Sequence, residues 1–379
     1  MPVEPAPVGK CPRTGNSPAR IAVAGAGLIG KRHIARVQED PDCLLVAIVD
    51  PAPATEAIAE QLGVPWFQSL EQLIEACRPD GVVLATPNHL HVAQCLECIA
   101  AEVAVLVEKP VAHTLEEGER LMEVAEVHNA IPRILVGHHR AHSPIMSLAQ
   151  RVIQEGTIGR VVAVMGSALF YKPDDYFDAA PWRRQAGGGP ILINMIHEVH
   201  NMRMLCGEIV EVQAFASNAT RSHVVEDTVA INFRFASGAL GTFMLSDTAA
   251  TAKSWEQTSQ EDKSYAAYPD EDCYVICGTH GSLSVPTMRL KTYDRTEDRS
   301  WWKPFTLGQV DLQREDPLKI QMSHFASMIQ EGAKPIVSVR DGVQNLRVTD
   351  AIVEAARTGR AAPVRTGPEV GSLEEVAGR

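Results

Sequence analysis

The chain is short of positive charge. Against 47 aspartates and glutamates it carries 35 lysines and arginines, a formal net charge of −12 over 379 residues. A surface of that sign repels phosphate backbones and anionic headgroups, so neither nucleic acid nor an acidic membrane is an expected partner. No run approaches the roughly 18 consecutive apolar residues of a membrane span. The first twenty residues lack the apolar stretch of a secretory signal, and a cytoplasmic location is the expectation. Eight cysteines are scattered through the sequence. Cys95 and Cys98 form a CxxC and Cys273 and Cys277 a CxxxC, but neither has a matching second pair or a histidine set nearby. Zinc needs four ligands at defined spacing, so no metal is expected, and Cys95 and Cys98 read as small apolar residues on one helix face. What remains is an ordinary globular composition, 45% hydrophobic and 22% charged, at a length that favours two domains.

Residues 1–19 read as a disordered tail. Then comes Ile21-Ala-Val-Ala24, an apolar run suited to a buried parallel strand, followed by Gly25-Ala-Gly27-Leu28-Ile29-Gly30. Ile29, Ile34 and Val37 recur at helical spacing until Pro41, and a second run from Leu44 to Val49 ends at Asp50. A lone GxGxxG is weak, but strand, glycine turn, helix, strand and acid here fit into about thirty residues, as dinucleotide binding requires. Gly25 permits the tight turn, Gly27 lets the backbone approach a pyrophosphate, and Gly30 permits close packing. The helix N-terminus, through Leu28 and Ile29, offers N–H groups to phosphate, and Asp50 stands where a carboxylate binds the ribose 2′-hydroxyl. From Val37 through Cys77 there is no lysine or arginine, but there are eight acids. A 2′-phosphate beside Asp50 would be repelled. The expected cofactor is NAD.

The alternation continues. Ala54 to Leu62 and Leu70 to Cys77 read as helices, Val82 to Ala85 and Val103 to Val107 as strands, and Thr114-Leu-Glu-Glu117 as a capping box opening the next helix. Ligands of open parallel sheets bind beyond the carboxyl ends of the strands. Thr86, Pro87, Asn88 and His91 follow one such end, and Glu108, Lys109 and Pro110 another, so both segments are expected at the cofactor. Beyond His142 the pattern turns to β. Thr228 to Phe235 alternates, with Ile231, Phe233 and Phe235 on one face, and Ser237-Gly238 turns it into a hairpin. Helices are expected at about Leu318–Glu331 and Val343–Arg357. The fold class is α/β: a Rossmann domain over 20–142, a second domain over 143–365 with a large open, mainly antiparallel sheet, and a tail over 366–379.

Four segments together are specific: the glycine turn with His33 three residues beyond Gly30, Thr86-Pro87-Asn88-His89-Leu90-His91, Glu108-Lys109-Pro110, and Gly187-Gly188-Gly189 followed by His197. In this order the chain resembles the glucose–fructose oxidoreductase/inositol dehydrogenase/rhizopine-catabolism (Gfo/Idh/MocA) family, from about Arg20 to about Val364. The resemblance implies hydride transfer between nicotinamide and a hydroxyl or carbonyl carbon, commonly on a sugar or cyclitol, by dimers or tetramers; self-association is expected through the C-terminal sheet. It places the catalytic lysine at Lys109, where an ammonium can bind the substrate oxygen, and the catalytic histidine at His197, a base suited to neutral pH. Many members carry an aspartate four residues before that histidine. Here that position is Ile193, and Asn194, three before, is the nearest polar group. Asparagine can orient a hydroxyl but cannot share its proton.

Ahead of Gly187 lies a long loop, in which Tyr176 and Trp182 are candidates to pack on a ring and Arg183 or Arg184 to clamp a carboxylate. His200 shares a helix face with His197, but two histidines make no metal site; His138, His139 and His142 read as packing. The expected activity is an NAD-dependent dehydrogenase of a sugar, cyclitol or related polyol, with Lys109, His197 and Asn194 in the catalytic roles. Alternatives are a cis-dihydrodiol dehydrogenase of aromatic carboxylate breakdown, an NAD-dependent glycosidase and a non-catalytic nucleotide sensor.

Overall fold

The computed structural model describes residues 17–365. The expected tails, 1–19 and 366–379, lie outside the described residues except for 17–19, of which Ala19 already opens a strand. The chain divides into two compact units. Residues 17–142 join Pro317–Val343 in the first, and Ser143–Asp316 joins 344–365 in the second.

The first unit is built on six parallel strands: β1 (Ala19–Ala24), β2 (Cys43–Val49), β3 (Trp66–Phe67), β4 (Gly81–Leu84), β5 (Ala104–Glu108) and β6 (Ile134–Gly137). Their order is β3-β2-β1-β4-β5-β6. The strand sequences are nearly continuous apolar runs because both faces are covered, and every residue of β4, β5 and β6 is buried. Local signals set the helix ends. Gly63 closes Ala54–Leu62 in the left-handed region at φ +68°, and Thr114 with Glu117 forms a complete capping box on Leu115–Val127. The order reverses between β1 and β4, so a crevice opens beyond their carboxyl ends, where the glycine turn sits.

One segment packs elsewhere than the sequence suggested. The helix Pro317–Glu331, read as part of the second domain, belongs to the first unit. Met322, Phe325, Ala326 and Met328 share one apolar cluster with Ile21, Val23, Ile34, Val83 and Leu106. Gly81 leaves room for it: a Cβ there would meet the Phe325 ring at 2.9 Å. Periodicity identified the helix and its apolar face, but a face does not name its partner.

The second unit contains a ten-stranded sheet: β7 (Val161–Tyr171), β8 (Ile209–Ser217), β9 (Thr228–Phe235), β10 (Leu240–Ser246), β11 (Thr248–Lys253), β12 (Tyr274–Gly278), β13 (Gly281–Val285), β14 (Arg289–Thr292), β15 (Thr306–Gln309) and β16 (Ala362–Pro363). The order is β15-β14-β13-β12-β7-β10-β9-β8-β16, with β11 beside β7, and each pair is antiparallel except β7 with β10. Val229, Ile231, Phe233 and Phe235 of β9 and Phe243 and Leu245 of β10 point into a core shared with helices Pro144–Gln154 and Ile196–Cys206. The opposite face carries Met165, Phe215, Asn232, Arg234, Leu240 and Met244, all exposed. Four strands, β3, β11, β15 and β16, give little signal in the sequence. Two are two residues long, and β15 is exposed at every position, so no alternation betrays it.

Candidate active site

The glycine turn sits at the carboxyl end of β1. Gly25 has φ +91°, and a Cβ there would lie 2.5 Å from the Ala85 carbonyl oxygen; at Gly30 it would lie 1.8 Å from the Gly25 oxygen. Gly30 therefore packs against the turn itself, and Gly25 against the end of β4. Gly27 differs, since a Cβ there meets nothing within 4 Å. It is the N-cap of helix Leu28–Glu39 and makes no side-chain cap hydrogen bond, and Leu28 and Gly27 are exposed. Open space before uncapped N–H groups fits a pyrophosphate. Asp50, just past β2, holds the turn: its Oδ2 accepts from Ala26 N–H at 2.8 Å and its Oδ1 from Ala52 N–H at 2.9 Å. Trp66 Nε1 donates to the Asp50 carbonyl at 2.8 Å, so the short β3 fixes the acid's position.

The second segment, Thr86 to His91, follows β4. Thr86 Oγ1 donates to Gln94 Oε1 at 2.6 Å. Pro87 is exposed, and half-buried Asn88 opens helix Asn88–Ala100. His91, expected at the cofactor, is buried instead. Its Nδ1 lies 2.8 Å from the Pro110 carbonyl oxygen and its Nε2 2.9 Å from that of Thr86. The ring thus ties this segment to the Lys109–Pro110 turn, which contains a cis peptide bond.

Glu108, the last residue of β5, likewise turns inward. His33 Nε2 donates to its Oε1 at 2.8 Å, and Lys109 N–H donates to its Oε2 at 3.1 Å. Burial alone would raise this carboxyl, but the His33 hydrogen bond and the charges of His33 and Lys109 outweigh it and hold it below the usual range. The Lys109 backbone is thereby pinned to the helix that follows the glycine turn. Desolvation, then Arg140, push His139 down to about 3. His324 Nε2 donates to the Lys334 carbonyl at 3.0 Å, so its Nδ1 accepts from His142 Nε2 at 2.9 Å.

In the second unit, Gly187 and Gly189 take φ +88° and +81°. A Cβ on Gly189 would fall 2.7 Å from Glu226 Oε1, which accepts from Ile191 N–H at 2.8 Å. A π-helical turn, Ile191–Met195, then leads into helix Ile196–Cys206. Such turns recur at functional sites. Asn194 is half-buried in that turn, and His197, one turn on, is buried near the helix start. The rest of the helix is anchored by polar contacts. Glu198 accepts from the Tyr274 hydroxyl, which accepts from Asn201 Nδ2 at 2.9 Å. His200 Nδ1 accepts from Asn345 Nδ2 at 3.1 Å, and Arg203 donates to Asn345 Oδ1 at 2.6 Å and to Glu208 at 2.7 and 2.9 Å. His200 therefore serves this network, and among the described residues no group of three or more His, Cys, Asp and Glu could hold a metal.

The expected long loop contains helix Asp174–Asp178 and a 3₁₀ turn, Pro181–Arg184. Arg183 stacks 3.8 Å over the Tyr176 ring centroid and also donates to the Tyr176 carbonyl. Burial raises the Tyr176 phenol. Arg184 pairs with Asp178 at 2.5 Å, so its charge is held within the loop and not extended as a clamp; Trp182 is exposed. One residue escaped sequence reading. Lys172, just past β7, donates from Nζ to Asn194 Oδ1 at 2.7 Å. A lone lysine at a strand end gives no periodic or motif signal.

Comparison with known proteins agrees with this geometry. Residues 19–138 match the sequence model of an oxidoreductase family with an NAD-binding Rossmann fold, and residues 146–284 match the Gfo/Idh/MocA C-terminal domain. The chain is 29% identical over 307 residues to a 1,5-anhydro-D-fructose reductase of Ensifer adhaerens, covering 79% of this chain and 84% of that one. It is 24% identical over 345 residues to an inositol 2-dehydrogenase of Rhizobium meliloti, covering 90% and 98%. Among solved structures, the WlbA dehydrogenase of Chromobacterium violaceum, in complex with NADH and UDP-GlcNAcA, superposes with a TM-score of 0.74 at 24% identity over 94% of this chain and 99% of that one. The cofactor is NAD.

Two outcomes follow from the geometry. Gly27→Ala, at φ −71° and facing open space, should leave the melting temperature of the NAD-free protein unchanged while weakening NAD binding. Gly30→Ala should lose both, at an overpacking cost of about 1–3 kcal/mol. Thermal melts beside fluorescence titration with NAD separate the two. The second concerns Glu226. Burial raises its carboxyl, the Ile191 N–H opposes this, and Asp247 and Asp227 add to the rise. A folded-state value above the unfolded one means stability that is present at low pH and lost as pH rises through it. Glu226→Gln keeps the acceptor and removes the charge, so it should melt above the wild type at pH 8, with the gain gone near pH 4.

Proposed function

The chain belongs to the Gfo/Idh/MocA oxidoreductase family, and from that premise we propose that it oxidises a hydroxyl carbon of a sugar, cyclitol or related polyol, or reduces the corresponding carbonyl. The observation that carries this reading is the position of Lys109. It leaves the carboxyl end of β5 in the same sheet whose β1 ends in the nucleotide-binding turn, and His33 and Glu108 hold its backbone there.

Bound NAD supplies the hydride acceptor. In the alcohol direction one C–H and one O–H bond break and a C=O bond forms, so the chain must take a proton and stabilise charge on oxygen. Lys109 hydrogen-bonds that oxygen. His197 takes the proton on a ring nitrogen and returns it in the reverse direction. Asn194 orients the substrate but, being an amide, takes no proton. Tyr176, Trp182 and Arg183 form the wall against which a ring packs. The inositol 2-dehydrogenase and 1,5-anhydro-D-fructose reductase similarities support a polyol or cyclic sugar as substrate.

The test is a substrate panel: inositols, 1,5-anhydro-D-fructose, aldoses, uronic acids and cis-dihydrodiols, each with NAD and NADP, followed by nicotinamide absorbance. Turnover of a polyol or cyclic sugar with NAD is the expected result. Release of free sugar from a glycoside without net NADH, or NAD binding with no turnover anywhere, overturns it. With the substrate in hand, His197→Ala should lower kcat by about 10²–10⁴-fold at unchanged NAD affinity.

We further propose self-association through the open face of the second unit's sheet. Met165, Phe215, Leu240 and Met244 lie exposed there among Asn232 and Arg234, which is the mixed character of a protein interface. Light scattering should give a mass that is a multiple of 41.2 kDa, reduced by Met165→Glu. A single-chain mass at every concentration removes the proposal.

A further inference from the structure

Lys172 stands outside every role assigned so far. We propose that it is a specificity-determining positioning residue, which fixes the polarity of Asn194 so that the NH2 end, turned away from Lys172, offers its N–H donors to the substrate. The inference rests on Asn194 and His197 belonging to the substrate site.

An asparagine amide is nearly symmetric in shape, and its two ends exchange by a flip about one bond. An ammonium removes that freedom. It has three donors and no acceptor, so Lys172 Nζ can bond at 2.7 Å to Oδ1, whereas the flipped amide would set N–H against N–H. A charge-assisted bond is roughly twice as strong as a neutral one, which holds the preference. With Oδ1 engaged, the NH2 end points away from Lys172.

Lys172 is itself held in place. Its Nζ lies 4.8 Å from the Tyr176 ring centroid and 5.3 Å from that of Phe170. Its backbone N–H donates to the Asp247 carbonyl at 2.9 Å, and its carbonyl accepts from Arg221 at 2.6 Å. Arg221 in turn donates to Asp247 Oδ1 at 2.8 Å. The end of β7 is thus braced from both sides, and the ammonium sits between two ring faces and the amide. The substrate group that meets the NH2 end of Asn194 must therefore accept a hydrogen bond: a carbonyl, a carboxylate, a ring or ether oxygen, or a hydroxyl whose own hydrogen points elsewhere. An aspartate at the same place would offer acceptors alone and select the opposite.

A double-mutant cycle tests this, using the panel member turned over fastest by the wild type. Lys172→Met and Asn194→Ala should each lower kcat/KM by about tenfold or more, as loss of a hydrogen bond to a charged or substrate group predicts. The double variant should be no worse than Asn194→Ala alone, because Lys172 acts through that amide. Lys172→Arg should recover most of the loss, and NAD affinity should stay unchanged throughout. A Lys172→Met loss that persists undiminished in the Asn194→Ala background overturns the inference, as does a silent Lys172→Met; neither touches the dehydrogenase reading. A silent Asn194→Ala removes Asn194 from the site, and absence of turnover on the whole panel removes the reading itself, and the inference falls with either.

Discussion

The hydrogen bond between His33 and Glu108 organises the nucleotide-binding unit. His33 lies on the helix that begins at the glycine turn, and Glu108 is the last residue of β5, next to Lys109. Both side chains are buried. A buried carboxylate is costly unless its lone pairs are filled, and this one is filled by a ring N–H from one segment and a backbone N–H from the other. The glycine turn and the turn at Lys109 cannot then move independently. His91 repeats the arrangement one strand away, bracketing the carbonyls of Thr86 and Pro110.

The second unit follows the same logic with different residues. Glu226 backs the glycine run through Ile191 N–H, at the point where a Cβ on Gly189 would collide with it. Helix Ile196–Cys206 has polar side chains where a surface helix would have solvent, and each of Glu198, Asn201, His200 and Arg203 meets a partner on another element. The result is a His197 that sits on a rigid, polar-anchored helix. For the general base proposed above, positional precision of this kind matters, since misplacement by about 1 Å costs of order 10²-fold.

Much of this was legible in the sequence, and the failures have physical causes. Glycine turn, capping box, Gly63 stop and the alternation of Thr228 to Phe235 are local signals, and each produced the structure it announced. The destination of helix Pro317–Glu331 was not legible, because an amphipathic stripe records that a face is buried and not against what. His91 and Glu108 were placed at the cofactor from their position at strand ends. Both side chains turn inward, because a side chain beyond a strand end can do so when a carbonyl or an imidazole waits there. Lys172 was invisible for the opposite reason: nothing local distinguishes it from any solvated lysine.

Four cations flank the second glycine run: Lys172, Arg183, Arg184 and the more distant Arg221. In the fold, Arg184 meets Asp178, Arg221 meets Asp247 at 2.8 Å and Asp174 at 3.5 Å, and Arg183 covers the face of Tyr176. These cations are committed to holding the loop together, and a formal sum over them overstates the field a substrate would feel. What survives burial is direction. Lys172 converts its charge into the orientation of one amide, a short-range property that salt screens far less than it screens a distant charge. On the proposed role of Asn194, recognition there depends on which substrate atom can accept a hydrogen bond from its NH2 end, and the net charge of the chain has little bearing on it.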